Sequence, residues 1–204
     1  AWNANKPALA VDVGSASVVL NASQNGRPMT VVRTDLGVGY SLPQLLDQVD
    51  MDDILRWLPY ELSPVLARDL LLNKSLRPHS IPQTQEELLL EQAVAREALR
   101  LALQDLLPAW IGRLDGRRLK AVIPPCDPLI AGGSIMARAP FHGHAVLILL
   151  DALQPTGVSE VYLDEYDLVP MLGAVASVRP LAVVQTLQNR GLTFLGTVVS
   201  PTGP

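Results

Sequence analysis

The alternation of apolar and polar residues predicts that the chain begins with antiparallel strands. Leu9 to Leu20 form a β-branched, apolar run that a small-residue turn interrupts. Asn25-Gly26 then separates this run from Met29 to Val32, and Asn-Gly accepts the positive φ angles of a type I′ turn. We therefore expect adjacent antiparallel strands over residues 8–35, with a tight polar turn in the first half.

Residues 36–110 carry a helical pattern that proline interrupts repeatedly. Three short capped helices are predicted at 44–48, 50–57 and 63–72. The clearest helix is predicted at 84–107, where Thr84 and Glu87 form a capping box and apolar residues recur on one face. Pro108 is expected to end it. We expect this helix to pack lengthwise on a sheet.

The second half of the chain predicts alternating strands and helices. Strands are expected at 119–123, 128–134, 161–163 and 192–199. Helices are expected at 144–152, 170–178 and 180–188. Together with the antiparallel start, this alternation predicts an α/β fold with a mixed sheet and helices packed on it. The 204 residues fit one domain, in which 36–110 is a helical insertion and a candidate partner surface.

Composition narrows the possible functions. Hydrophobic residues make up 49% of the chain and charged residues 18%, below the usual value of about 25%, which excludes disorder as the main state. Apolar runs such as 145–150 are far shorter than the roughly 20 residues of a membrane span. A net charge of −4 with interspersed signs argues against nucleic acid as a partner. The single Cys126 and the lack of a leader pattern predict a reducing cytoplasm.

The first candidate chemical motif follows the first strand, at Asp12-Val-Gly14-Ser15-Ala-Ser17. Backbone N–H groups and hydroxyls of such a turn can converge on a phosphate, while the carboxylate holds a hydrated magnesium ion. The alternative is an ordinary β-turn that contains glycine, since the motif is short and common.

The second motif, Gly132-Gly133-Ser134, closes a predicted strand roughly 120 residues further on. Paired glycines let a ligand approach the backbone. If both strands belong to one sheet and end on the same side, the two motifs meet. The pair therefore favours a nucleotide site over two unrelated turns.

This pairing of motifs resembles the arrangement in the sugar kinase, Hsp70 and actin superfamily. In that superfamily a second-lobe hairpin binds the phosphates, and a strand that ends in Gly-Gly contacts the adenosine. A closer resemblance, over about residues 8–201, is to the glutamate mutase accessory proteins (the MutL type, unrelated to mismatch repair). It rests on the order of the motifs at 149–158, 168–175, 180–184 and 195–201. The resemblance implies an actin-like (ribonuclease H-like) lobe that binds ATP and Mg²⁺. It also implies a chaperone or reactivating role for a coenzyme B12-dependent mutase.

The resemblance also implies roles for individual residues. Asp12 would be the catalytic residue and would hold Mg²⁺ through water. The phosphate contacts would come from Gly14, Ser15 and Ser17. The nucleoside contacts would come from Gly132, Gly133 and Ser134.

Two departures from the superfamily pattern shape the expected activity. Ser15 stands where the superfamily has a second glycine, and its side chain would either crowd the phosphate or donate to it. The first-lobe Asp-x-Gly hairpin has no counterpart, so we expect the second lobe of a longer ATPase, inactive without its first lobe.

The alternative is a non-hydrolysing scaffold that keeps the fold. A third possible function is that of a small-molecule kinase, but no residue is recognisable as the base that would deprotonate a hydroxyl substrate.

Overall fold

A six-stranded mixed sheet forms the centre of the computed structural model, which describes residues 6–111 and 123–201. The strands are β1 (Ala8–Val13), β2 (Val18–Gln24), β3 (Arg27–Arg33), β4 (Leu129–Gly132), β5 (Gly157–Leu163) and β6 (Thr193–Ser200). Their order is β3-β2-β1-β4-β5-β6. β1, β4 and β5 are parallel, whereas the β1–β2, β2–β3 and β5–β6 pairs are antiparallel. The mixed sheet expected from the sequence is confirmed. Most of the strand predicted at 119–123 lies outside the described residues.

The turn between β2 and β3 has the predicted type I′ conformation. Asn25 has a φ of 52° and Gly26 a φ of 72°, and positive φ at both central positions defines this turn. The strands pair from Val18 with Arg33 to Gln24 with Arg27. The local sequence alone therefore specified this hairpin.

Eight helices accompany the sheet in the described part of the chain. They are α1 (Leu42–Leu46), α2 (Met51–Leu55), α3 (Pro64–Leu76), α4 (Gln85–Ile111), α5 (Ser134–Ala137), α6 (His142–Leu153), α7 (Leu168–Ala176) and α8 (Pro180–Thr186). A π-helical turn at Leu187–Gly191 follows α8. None of the described helices is long and apolar enough to span a membrane.

The long helix α4 begins as predicted but ends later. The Glu87 N–H donates to Thr84 Oγ1 at 3.1 Å, as in a capping box. The predicted end at Pro108 was wrong, because the helix continues for three more residues. Proline in a helix costs about 3 kcal/mol. Burial of Leu107 and Trp110 on both sides of it offsets this cost, at roughly 1.5–3 kcal/mol for each large side chain.

The hydrophobic core lies between one face of the sheet and the helices α4 and α6. Alternate residues of β1, namely Leu9, Val11 and Val13, are buried on this face. α4 contacts β1, β2, β3 and α6, and its small residues Ala98 and Ala102 are fully buried, which allows close packing. The segment 36–110 thus supplies a central part of the core.

The opposite face of the sheet is covered more loosely, by α7. Within the described residues, neither α7 nor α8 contains a buried side chain. Their large apolar side chains Met171, Val175, Leu181 and Val184 are exposed. Residues 168–187 contain a single charged side chain, Arg179. This segment presents an apolar surface to its surroundings.

A buried carboxylate joins α2 to α4. Glu97, which is 0% exposed, accepts hydrogen bonds from Arg56 Nη2 and Trp57 Nε1, each at 2.8 Å, and from Arg100 Nε at 2.7 Å. The Arg56 guanidinium lies 4.8 Å from the centre of the Trp57 ring, where a cation–π attraction adds to the ion pairs. A buried carboxylate needs partners of this kind.

Replacing Glu97 by alanine should lower the free energy of unfolding by about 2–4 kcal/mol, because it leaves a cavity and removes the common acceptor of three donors. Urea denaturation measures the change. The matched control is Asp69→Ala on α3, since Asp69 is exposed, and its change should stay within about 0.5 kcal/mol. Equal effects of the two substitutions would contradict a structural role for the Glu97 cluster.

Candidate functional site

The parallel pairing of β1 with β4 brings the two sequence motifs together. Leu9 lies opposite Leu129, and three residues further along Asp12 lies opposite Gly132. The next parallel strand, β5, ends one residue before Asp164, whose N–H donates to the Ala131 carbonyl at 2.8 Å. The expectation that both motifs end at the same edge of one sheet is therefore confirmed. Asp164 joins them there.

A cleft of about 490 Å³ opens between this part of the sheet and α7. We call it the acidic cleft, because the carboxylates of Asp12 and Asp164 line it beside Gly132. Its remaining lining residues are mainly apolar or small: Ala10, Val11, Val19, Asn21, Ile130, Val169, Pro170 and Gly173. It therefore combines an apolar wall with two acidic groups.

Asp164 positions the helix that covers the acidic cleft. Its side chain is buried and accepts from the N–H groups of Leu168 at 2.8 Å and Val169 at 2.7 Å. Both carboxylate oxygens thus bind the amino-terminal end of α7, where negative charge is favoured. No role for Asp164 was predicted from the sequence. A carboxylate one residue after a buried strand and four before a helix was the available signal.

The surroundings of Asp12 disfavour a negative charge on its carboxyl group. The pKa of its carboxyl is raised from the usual 3.8 by burial first, then by the nearby Asp167 and Asp164 carboxylates. Its side chain has neither a hydrogen bond nor an ion pair with any described residue. Such a carboxylate is stabilised either by a proton or by a cation.

The turn that follows Asp12 is bound to the segment after β3. Gly14 N–H donates to the Ser17 carbonyl at 2.9 Å, which closes the turn. The Ser15 carbonyl accepts from the N–H groups of Gly39 and Tyr40, both at 2.9 Å. A Cβ at Gly37 would lie 2.4 Å from the Ala16 carbonyl carbon. Glycine at 37 therefore allows the close approach that holds the turn in place.

Ser15 and Ser134 lie in a different cleft from Asp12 and Gly132. This second cleft measures about 680 Å³, and we call it the basic cleft. Its polar and charged lining consists of Ser15, Lys74, His79, Ser80, Glu91, Ser134 and Arg138. In the described part of the chain, Gly14, Ser17 and Gly133 are not among the lining residues of either cleft. Of the seven predicted site residues, two thus line the acidic cleft, two line the basic cleft and three line neither.

The two glycines at the end of β4 occupy different environments. Gly132 lines the acidic cleft, and a Cβ there would lie 3.3 Å from the Val11 carbonyl oxygen. Gly133 has a φ of 87° and a ψ of 155°, a conformation that is essentially restricted to glycine. A Cβ at Gly133 would lie 2.4 Å from the Val13 carbonyl oxygen. Gly133 therefore serves the packing of the chain against β1.

These features define an α/β protein with a mixed sheet and a carboxylate-lined cleft at the carboxyl ends of parallel strands. The chain belongs to the MutL protein family, whose family model matches residues 7–190. This match confirms the resemblance to the MutL-type accessory proteins of glutamate mutase. A comparison with curated proteins finds no match.

Gly133→Ala should lower the free energy of unfolding by about 3 kcal/mol or more, because it combines a strained φ with a clash against Val13. Thermal or urea unfolding measures the loss. Gly143→Ala is the matched control, because Gly143 lies in α6 with open space around its Cβ position. It should be neutral or stabilise by up to about 1 kcal/mol. Similar losses in both variants would contradict the packing role of Gly133.

Asp12→Asn should stabilise the protein at neutral pH. A carboxyl whose pKa is raised in the folded state contributes stability that is fully present below pH 3.8 and is lost as the pH rises through the folded value. The asparagine variant escapes that loss, so its melting temperature should exceed that of the wild type at pH 7.5 and approach it at pH 4. Asp69→Asn should show neither change. An equal gain at both pH values would contradict the electrostatic origin.

Proposed function

We propose that this chain is the nucleotide-binding lobe of an accessory protein that serves a coenzyme B12-dependent glutamate mutase as a chaperone or reactivating factor. The observation that carries the proposal is the register that places Asp12 beside Gly132. The antiparallel start of the sheet and the parallel β4 and β5 agree with an actin-like lobe. Family membership supports the association with a glutamate mutase.

The donor groups at the acidic cleft suit a hydrated magnesium ion. The Asp12 carboxylate has no partner among the described residues. Its pKa is raised first by burial and then by neighbouring carboxylates, and a bound cation would offset both effects. Asp164 already uses both oxygens on backbone N–H groups. No cluster of three or more direct metal ligands occurs among the described residues. Mg²⁺ would therefore bind Asp12 through water, as it often does, and would neutralise phosphate charge beside the carboxylates.

The remainder of the acidic cleft suits a nucleoside. Its volume of about 490 Å³ falls within the roughly 300–1,000 Å³ of small-molecule sites. Val19, Ile130, Val169 and Pro170 form an apolar wall against which a base or ribose would pack. Gly132 adds no side chain to obstruct it. These contacts would place the nucleoside over the ends of β1 and β4.

Hydrolysis would require more than this chain. The family resemblance implies a first lobe that completes the phosphate contacts, and phosphoryl transfer depends on positioning and charge stabilisation from all sides. We therefore expect the 204-residue chain to bind nucleotide weakly and to show no ATPase activity by itself.

A second candidate function is a non-hydrolysing scaffold or interaction module that keeps the fold. The exposed apolar side chains of α7 and α8 favour it, because contiguous apolar surface marks protein interaction sites. The division of the predicted phosphate and nucleoside contacts between two clefts favours it as well. A scaffold would bind its partner equally well with and without ATP.

Isothermal titration with MgATP separates the two functions. Asp12→Asn should weaken MgATP binding by about tenfold or more, because the water-held cation loses its carboxylate. Removing Mg²⁺ with EDTA should weaken wild-type binding to the level of that variant. Asp69→Asn, which changes an exposed carboxylate outside both clefts, should bind as the wild type does. Equal affinity in all three proteins, or no binding in any, would favour the scaffold.

A further inference from the structure

The two edge strands of the sheet are protected to different degrees. β3 carries Arg27, Pro28 and Arg33, and charged residues or proline at an edge discourage the addition of another strand. β6 (Thr193–Ser200) forms the opposite edge and contains neither a charged residue nor a proline. A long uncharged edge strand is a template for further pairing. β6 is therefore the edge at which the sheet can be extended.

Hydrogen bonds of β5 show which way its backbone groups point. The Asp164 N–H donates to the Ala131 carbonyl of β4 at 2.8 Å. The Glu160 N–H donates to the side chain of Asp127, which lies two residues before β4, at 3.4 Å. The backbone groups of successive strand residues point to opposite sides. Even-numbered residues of β5 therefore direct their N–H and C=O groups toward β4, and odd-numbered ones direct theirs toward β6.

The backbone groups of Thr197 and Val199 consequently face away from the sheet. Thr197 lies opposite Glu160, and Val199 lies opposite Val158. Opposite residues of an antiparallel pair direct their groups either toward each other or both away. Because Glu160 and Val158 face β4, Thr197 and Val199 face outward. These outward groups have no hydrogen-bond partner in the described part of the chain.

We propose that β6 pairs with β6 of a second copy of this chain, in an antiparallel register centred on Val198. A two-fold axis at Val198 places Thr197 opposite Val199 of the second copy, and Val199 opposite Thr197 of the second copy. Since both residues face outward, each such pair exchanges both of its N–H···O bonds. The register irregularity between Val161 and Tyr162 lies toward the other end of β6 and leaves this stretch regular.

The side chains of β6 agree with this register. Val199 is 75% exposed and lies beside Val158, which is 57% exposed, on the same face. Pairing adds Thr197 of the second copy as a further neighbour of Val199, and β-branched residues that lie opposite each other stabilise a sheet. On the other face Val198 packs against the core and meets Val198 of the second copy. The pairing therefore brings no polar side chain against an apolar core position.

The distribution of charge permits self-pairing at β6 and opposes it at β3. Glu160 is the charged residue of β5. Three strand spacings, about 14 Å, would separate the two copies of Glu160, which exceeds the Debye length of about 8 Å at physiological ionic strength. Self-pairing of β3 about its centre would instead place Arg27 directly opposite Arg33 of the second copy, and like charges there are destabilising.

Sedimentation velocity over a range of concentrations tests the pairing. The wild type should pass from monomer to dimer with a dissociation constant on the order of tens of micromolar, since a strand-edge interface is small. Thr197→Lys combined with Val199→Lys should weaken the dimer about tenfold or more, because each lysine then faces a lysine of the second copy. The matched control is Thr30→Lys with Val32→Lys on β3, where both residues are exposed. It should dimerise as the wild type does.

Mixing variants of opposite charge separates lost pairing from lost folding. Thr197→Glu combined with Val199→Glu should also be monomeric, because carboxylates then face each other. An equimolar mixture of the lysine and glutamate double variants should form a heterodimer at least as stable as the wild-type dimer, since every facing pair is then of opposite charge. A mixture that stays monomeric would overturn the proposed register.

Val199→Pro removes the backbone donor itself. The Val199 N–H faces away from β5, so the β5–β6 pairing should survive and the melting temperature should change little, as for proline at other sheet edges. The dimer should weaken about tenfold or more, because the N–H of Val199 is lost in both copies. An unchanged dimer would contradict the pairing of β6 strands.

The occupant of the edge is identified by the wild type alone. A monomer at every concentration, or equal effects of the β6 and β3 lysine variants, would overturn the second copy as the occupant. The monomeric result would favour an extended segment of a different protein at this edge. The samples contain no nucleotide, so the outcome is independent of the proposed function.

Discussion

The close approach of the Gly133 backbone to Val13 is the constraint on which the rest of the structure depends. No side chain fits between them, since a Cβ at Gly133 would lie 2.4 Å from the Val13 carbonyl oxygen. This contact lets α5 begin directly after β4 and lets β4 lie beside β1 in parallel. The register of the two strands then places Gly132 beside Asp12. Both clefts follow from that register, because each has one wall on β1 or its turn and another on β4 or α5.

The turn at 14–17 places neighbouring residues of one sequence motif in two different clefts. Asp12 belongs to the strand, where side chains alternate between the two faces of the sheet, and it points into the acidic cleft. Ser15 lies beyond the end of the strand and lines the basic cleft. Glycines at 37 and 39 hold the turn in this orientation. Residues only three positions apart in the sequence therefore line separate clefts.

Much of the fold follows from local sequence, whereas the site depends on contacts between distant residues. Asn25-Gly26 specified its hairpin, and the strand ends at Asp12 and Gly132 met as their positions in the β/α alternation predicted. The continuation of α4 through Pro108 was not predictable locally, because burial of its neighbours outweighs the helix-breaking tendency. Likewise, two adjacent glycines look equivalent in a sequence. Only the position of Val13 shows which of them serves packing.

The attachment of α7 at Asp164 links the acidic cleft to the apolar surface of the molecule. A single carboxylate binds the first two N–H groups of α7, and the helix buries none of its own side chains. Asp164 is therefore the residue that attaches the start of α7 to the end of β5, while Met171 and Val175 further along the helix are exposed. The exposed apolar surface of α7 is thus anchored through a residue that also lines the acidic cleft beside Asp12.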